Sequence, residues 1–196
     1  MRGPVTEPVR ITVVLGSVTP PGRLRRALTE ALARVDPAAA EVQLIDLAEV
    51  RVASADGTPP AQLTDDTPAV VTALADADAV LLATPIYRGS LTGVLKNLLD
   101  LTPISALRDT PVAIVAMGAS DHHTLGAERH LRDVLAFFGA LVLPTAVYLT
   151  SRDFADGVPS ERAAAQLDAV VAATVTLAHG RRGAQPLGPP PLAASF

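Results

Sequence analysis

Five apolar stretches alternate along the chain with segments whose apolar residues recur at helical spacing. Residues 9–16 (VRITVVLG), 41–47 (EVQLIDL), 79–85 (AVLLATP), 111–118 (PVAIVAMG) and 141–149 (LVLPTAVYL) read as strands. They are apolar on both faces, the pattern of strands covered from two sides. Residues 23–35 place Leu24, Ala27, Leu28, Ala31, Leu32 and Val35 on one helical face. Further helices are expected over 67–77, with Pro68 in the first turn, over 91–101, with Ser90 as its N-cap, and over 124–140, with Leu125, His130 or Leu131, Leu135 and Phe138 turned inward. A long helix over 159–180 is closed by Gly180, and residues 50–66 form a loop.

Strands alternating with helices give a parallel sheet in an α/β fold. Five of them predict a doubly wound sheet in the order 2-1-3-4-5 with helices on both faces. Such a sheet binds ligands beyond the carboxyl ends of strands 1, 3 and 4. The expected organisation is an N-terminal extension over 1–8, one domain over 9–180 and a disordered proline-rich tail over 181–196.

Composition narrows the function. The chain has 196 residues, 49% of them hydrophobic, so a sizeable core needs few aromatics. A net charge of −4 gives no basic footprint for nucleic acid, and no cysteine leaves neither disulfide nor thiolate zinc site. Asp76 and Asp78 interrupt the longest apolar run, and the first residues lack a signal-peptide core, so a cytoplasmic protein without a membrane span is expected.

Three loops would converge. After strand 1 comes GSVTPPGRL, residues 16–24, whose glycines and hydroxyls precede a helix amino end, an arrangement suited to a single phosphate. It contains neither GK[ST] nor GxGxxG. Arg23 is placed to touch that phosphate, whereas Arg25 and Arg26 read as a solvated helical face. After strand 3 comes TPIYRGS, residues 84–90, with one of only two tyrosines in the chain. A rigid turn with an aromatic edge and exposed backbone groups suits a flat ring such as a flavin. After strand 4 comes MGASDHHT, residues 117–124; adjacent His122 and His123 rarely share one metal, and a polar loop closing over a ligand, or a capped helix start, is the better reading. His130 and His179 read as structural.

Taken together, TPIYRGSLTGVLKNLLDL and GASDHH followed by LGAERHLRDVLAFFGA resemble the NAD(P)H-dependent FMN reductases, flavodoxin-like proteins that include reductase partners of two-component sulfonate monooxygenases. The likeness spans about residues 9–150. It implies that Pro85, Ile86, Tyr87, Arg88, Gly89 and Ser90 surround the flavin ring, and that Gly118, Ala119, Ser120 and His123 approach it from the other side. Ser17, Thr19, Gly22, Arg23 and Leu24 would hold the FMN phosphate. The chain departs from the family pattern at Thr19, where an arginine is usual, at Gly22 or Arg23, near the usual serine, and at Ala119, where a glycine is usual; loosely held FMN would follow. The implied reaction is hydride transfer from NADPH or NADH to FMN, with no catalytic side chain. A flavin-dependent monooxygenase as partner and a homodimer or homotetramer are implied too. The rivals are a quinone, azo-dye or metal-ion reductase that keeps its FMN, a flavodoxin-type electron carrier, and a non-catalytic scaffold.

Overall fold

A computed structural model describes residues 7–18 and 22–191. Four full parallel strands, β1 (Val9–Leu15), β2 (Ala40–Asp46), β3 (Ala79–Pro85) and β4 (Pro111–Met117), form the centre of the sheet. The order is β2-β1-β3-β4-β5, with β6 also pairing β4, so the doubly wound α/β sheet has the expected order. The fifth strand is not continuous. It is split into β5 (Leu141–Val142) and β6 (Val147–Leu149), which pair with opposite ends of β4. Pro144 lies in the gap and cannot donate to a ladder, which confines the break to the sheet edge. The exposed carbonyls of the gap find a partner: Arg132 Nη2 donates to Leu143 O at 2.7 Å and Pro144 O at 3.0 Å.

Alternate residues of each central strand feed two separate cores. Leu81 and Ala83 of β3 and Ala113 and Val115 of β4 face helices α1 (Arg23–Leu32) and α5 (Glu161–Arg181), where Leu28 and Leu167 are fully buried. Val80 and Leu82, with Val112 and Ile114, face α2 (Thr67–Ala75), α3 (Gly93–Leu101) and α4 (Gly126–Phe138), where Leu74, Leu95, Leu98, Leu131 and Leu135 are fully buried. Burying a leucine contributes about 1.5–3 kcal/mol, so each face is strongly held and the register is fixed. Leu125 departs from the expectation for α4. It precedes the helix and is 59% exposed, while Ala127 takes the inward position. His130 is exposed, and Leu131 is the residue that packs inward.

Ser90 is not the N-cap of α3. Thr92 is, its side chain accepting from Leu95 N. A short hairpin, β7 (Phe154–Ala155) and β8 (Val158–Pro159), precedes α5. α5 runs to Arg181, one residue past its expected end, and beyond it Leu187 N donates to Asp109 Oδ1 at 3.0 Å. Arg182 reaches Asp78 at 2.5 Å and the carbonyls of Glu7 and Pro8, joining the two ends of the described chain. Residues 1–6 and 192–196 of the expected extension and tail lie outside the described residues.

Candidate active site

Sheet register brings the three loops together. Leu15 pairs with Ala83, and Pro85 with Met117, so β1, β3 and β4 end side by side. Gly16 N donates to Ala83 O at 2.7 Å, Ile86 N to Met117 O at 2.8 Å and Gly118 N to Leu149 O at 2.9 Å, which carries the order of the sheet one residue into each loop. Thr92 locks the first and second loops at their base. Its hydroxyl donates to Gly16 O at 2.6 Å, and its N–H donates to Thr84 Oγ1 at 3.2 Å.

Above that base lies a pocket of about 200 Å³ lined by Leu15, Ser17, Gly22, Arg23, Leu24, Arg25, Pro85 and Met117. Gly22 is the N-cap of α1 and has no side chain to bond the first-turn N–H groups, and no acidic residue stands in that turn. Those amides and the positive end of the helix therefore remain suited to an anion. Leu24 lines the pocket and is itself buried in the core. Thr19 lies outside the described residues.

The arginines of α1 divide differently from the sequence expectation. Arg25 is not a solvated residue; it lines the pocket and pairs with the buried Asp46 at 3.1 Å and with Glu49 at 2.5 Å. Its bond to Glu49 raises its pKa above the usual guanidinium value. Arg23 sits 5.6 Å above the Phe154 ring and reaches Ser151 Oγ at 3.4 Å, a weaker hold on a side chain that borders the pocket.

The second loop is a two-residue turn. Tyr87 and Ser90 exchange backbone hydrogen bonds of 3.0 and 3.1 Å, and Arg88 (φ 54°) and Gly89 (φ 78°) between them are both left-handed. That is the type I′ geometry, and it normally selects asparagine or glycine rather than arginine at its first central position. Pro85 and Ile86 are half-buried, and Tyr87 is 47% exposed at the tip.

The third loop is organised by a residue the sequence reading did not single out. Tyr148, on β6, donates to Ser120 O at 2.5 Å, and a β-carbon on Gly118 would overlap its hydroxyl. Burial raises the Tyr148 pKa, and nearby Asp121 adds to the effect. Ala119 and His123 are exposed on this loop. Asp121 pairs with Arg152 at 3.1 Å. The second loop also touches α4, the helix that follows the third loop: a β-carbon on Gly126 would lie 2.6 Å from Gly89 O, and Ser90 Oγ is 2.7 Å from His130 Nδ1.

Ser17, Gly22, Arg23 and Pro85 thus border one pocket; residues 86–90 and 118–123 are not part of its lining but follow directly in the chain from its lining residues Pro85 and Met117. Thr92 and Tyr148, which hold these loops, are not singled out by the sequence pattern. Thr92 carried a signal, a hydroxyl just before a helical run; Tyr148 carried a fainter one, a rare aromatic at the carboxyl end of a strand. Among the described residues no group of three His, Cys, Asp or Glu side chains could hold a metal, and no helix is long and apolar enough to cross a membrane. The donors suit a phosphate monoester, and Leu15, Pro85 and Met117 supply the apolar wall that a flavin needs.

A doubly wound parallel sheet of this order, with a pocket beyond the carboxyl ends of β1, β3 and β4, defines a flavodoxin-like fold. A sequence model of the NADPH-dependent FMN reductases matches residues 9–155. The chain belongs to that family of oxidoreductases, which work with FMN and a reduced nicotinamide nucleotide. It is 36% identical over 155 residues to the NADH-dependent FMN reductase SfnF of Pseudomonas fluorescens, covering 78% of this chain and 82% of that one. The FMN reductase (NADPH) of Pseudomonas aeruginosa is 37% identical over 155 residues, covering 76% and 81%. Among solved structures, the apo form of the NADH:FMN oxidoreductase EmoB superposes with a TM-score of 0.70 at 26% identity, covering 86% of this chain and 89% of that one.

Proposed function

We propose that this chain reduces FMN as an exchanging substrate, at the expense of NADPH or NADH, and supplies the reduced flavin to a partner flavin-dependent monooxygenase. The observation that carries the exchange is the thin phosphate anchor. Among the described residues, Arg25 of the pocket lining is committed to Asp46 and Glu49, which leaves Arg23 as the guanidinium beside Ser17 and the first-turn amides of α1. A charge-assisted bond contributes about 1.5–3 kcal/mol, so one arginine fewer shifts affinity toward release.

In this reading Ser17, Thr19, Gly22, Arg23 and the Leu24 amide hold the phosphate. Pro85, Ile86, Tyr87, Arg88, Gly89 and Ser90 border the ring, and Gly118, Ala119, Ser120 and His123 close its other side. Bound FMN supplies a ring that accepts two electrons from nicotinamide C4. The protein aligns the two rings, keeps the pocket floor apolar through Leu15, Pro85 and Met117, and offers backbone N–H groups to the charge that develops. No side-chain acid or base is required. A homodimer or homotetramer working in the cytoplasm completes the proposal.

NAD(P)H oxidation followed at 340 nm, with and without added FMN, tests it. A colourless protein whose turnover depends on added FMN supports the exchange reading. A yellow protein that turns over only with a quinone or dye points to the FMN-retaining alternative. Absence of both flavin binding and turnover sinks the enzymatic reading.

A further inference from the structure

Ser90 ends the I′ turn that follows Pro85 of the pocket wall, and its hydroxyl is 2.7 Å from His130 Nδ1. His130 and Gly126 lie four residues apart on one face of α4, so both meet the second loop. Gly126 has no side chain and lets the Gly89 carbonyl approach; His130, one turn later, bonds the next residue. The first turns of α4 therefore grip the turn at two consecutive positions. A serine hydroxyl on an exposed loop would otherwise sample three rotamers. In either ring tautomer the imidazole bond selects one of them.

We propose that His130 is a positioning residue for flavin. Its bond to Ser90 fixes the serine hydroxyl, and with it the 87–90 turn, in the orientation that meets the ligand ring. This rests on the FMN reading above. Arg88 and Gly89 make the need plain, because a turn carrying a left-handed arginine is not held by its own preference. An outside tie supplies what the local sequence does not.

The test is a double-mutant cycle on FMN affinity, read by quenching of flavin fluorescence, with KM values for FMN and NADPH measured alongside. Removing one hydrogen bond predicts that His130→Ala weakens FMN binding about three- to tenfold. The KM for FMN rises in step and the KM for NADPH stays unchanged. Ser90→Ala loses a similar factor, and Ser90→Ala/His130→Ala loses no more than Ser90→Ala alone, since the histidine acts through the serine. His130→Asn, whose amide can bond from the Nδ1 position, restores most of the affinity. His130→Ala binding FMN like the unmodified protein would overturn the proposal, as would full additivity of the two losses. Failure of the unmodified protein to bind or reduce FMN would instead remove the functional reading itself, and this assignment with it.

Discussion

Gly118 has no room for a side chain, because the Tyr148 phenol passes across it to reach Ser120 O. The third loop is thus held by a contact between a residue with no β-carbon and an aromatic from β6. Gly118→Ala should cost about 1–3 kcal/mol of stability by overpacking and raise the KM for FMN severalfold. Adding Tyr148→Phe should return much of the stability, since the hydroxyl is the nearest clash; urea unfolding and FMN kinetics on both variants check this. Arg88 offers the opposite case. Its left-handed backbone is costly for a residue with a β-carbon. Arg88→Gly should therefore stabilise the protein by about 0.5–1 kcal/mol, raising Tm by roughly 2 °C in a thermal melt. A turn loosened by lost ligand contacts would show up separately, as a higher KM.

At the scale of elements, α3 is more than a core helix. Its N-cap, Thr92, bonds Leu95 N, Gly16 O and Thr84 Oγ1, so the start of one helix fastens the loops after β1 and β3. The Thr92 side chain is buried, and its loss leaves the Gly16 carbonyl without that donor. Thr92→Ala should cost about 1–3 kcal/mol in urea unfolding and weaken FMN as well, whereas Thr92→Ser, which keeps the hydroxyl, should cost well under half of that. The interrupted fifth strand follows the same logic. Pro144 breaks the ladder, and Arg132, held by Glu128 at 2.9 Å, satisfies the carbonyls that the break exposes.

Across the whole molecule, two acidic side chains anchor the ends of α5, Asp153 near its start and Asp78 at its end. Burial alone would push the Asp153 pKa up, but the Thr150 N–H and the Arg162 guanidinium outweigh it and hold the carboxyl below its ordinary value. Asp78 behaves alike: burial opposes ionisation, and Arg182 and the Arg10 N–H overcome it. A folded pKa below the unfolded one means that the folded state releases its proton more readily. The stability so gained is complete above the ordinary carboxylate value, about 3.9, and is lost as pH falls through the depressed folded values. Asp153→Asn should cost about 1–2 kcal/mol at neutral pH and flatten the acid limb below about pH 4, with stability at pH 2 nearly unchanged, as read from urea midpoints against pH. The Asp78–Arg182 contact has a further consequence, since it joins the strand that opens the fold to the end of its last helix.

The amino-acid pattern alone determined the α/β class, the strand order, the helices within a few residues and the three loops. Each of these follows from periodicity, from punctuation by glycine and proline, or from a motif confined to one short stretch. The 84–90 turn and the break after β1 were legible as loops because glycine and proline punctuate consecutive residues there. What the sequence did not disclose are the partners across the chain. Arg25 looks solvated until Asp46, at the end of another strand, is brought to 3.1 Å. His130 looks like a helix-surface residue until Ser90, forty positions earlier, meets its ring, and Tyr148 looks like an ordinary strand residue until Ser120 comes within reach of its hydroxyl. Local physics selects each element, but a side chain's role depends on what the sheet sets beside it, and that only the tertiary structure decides.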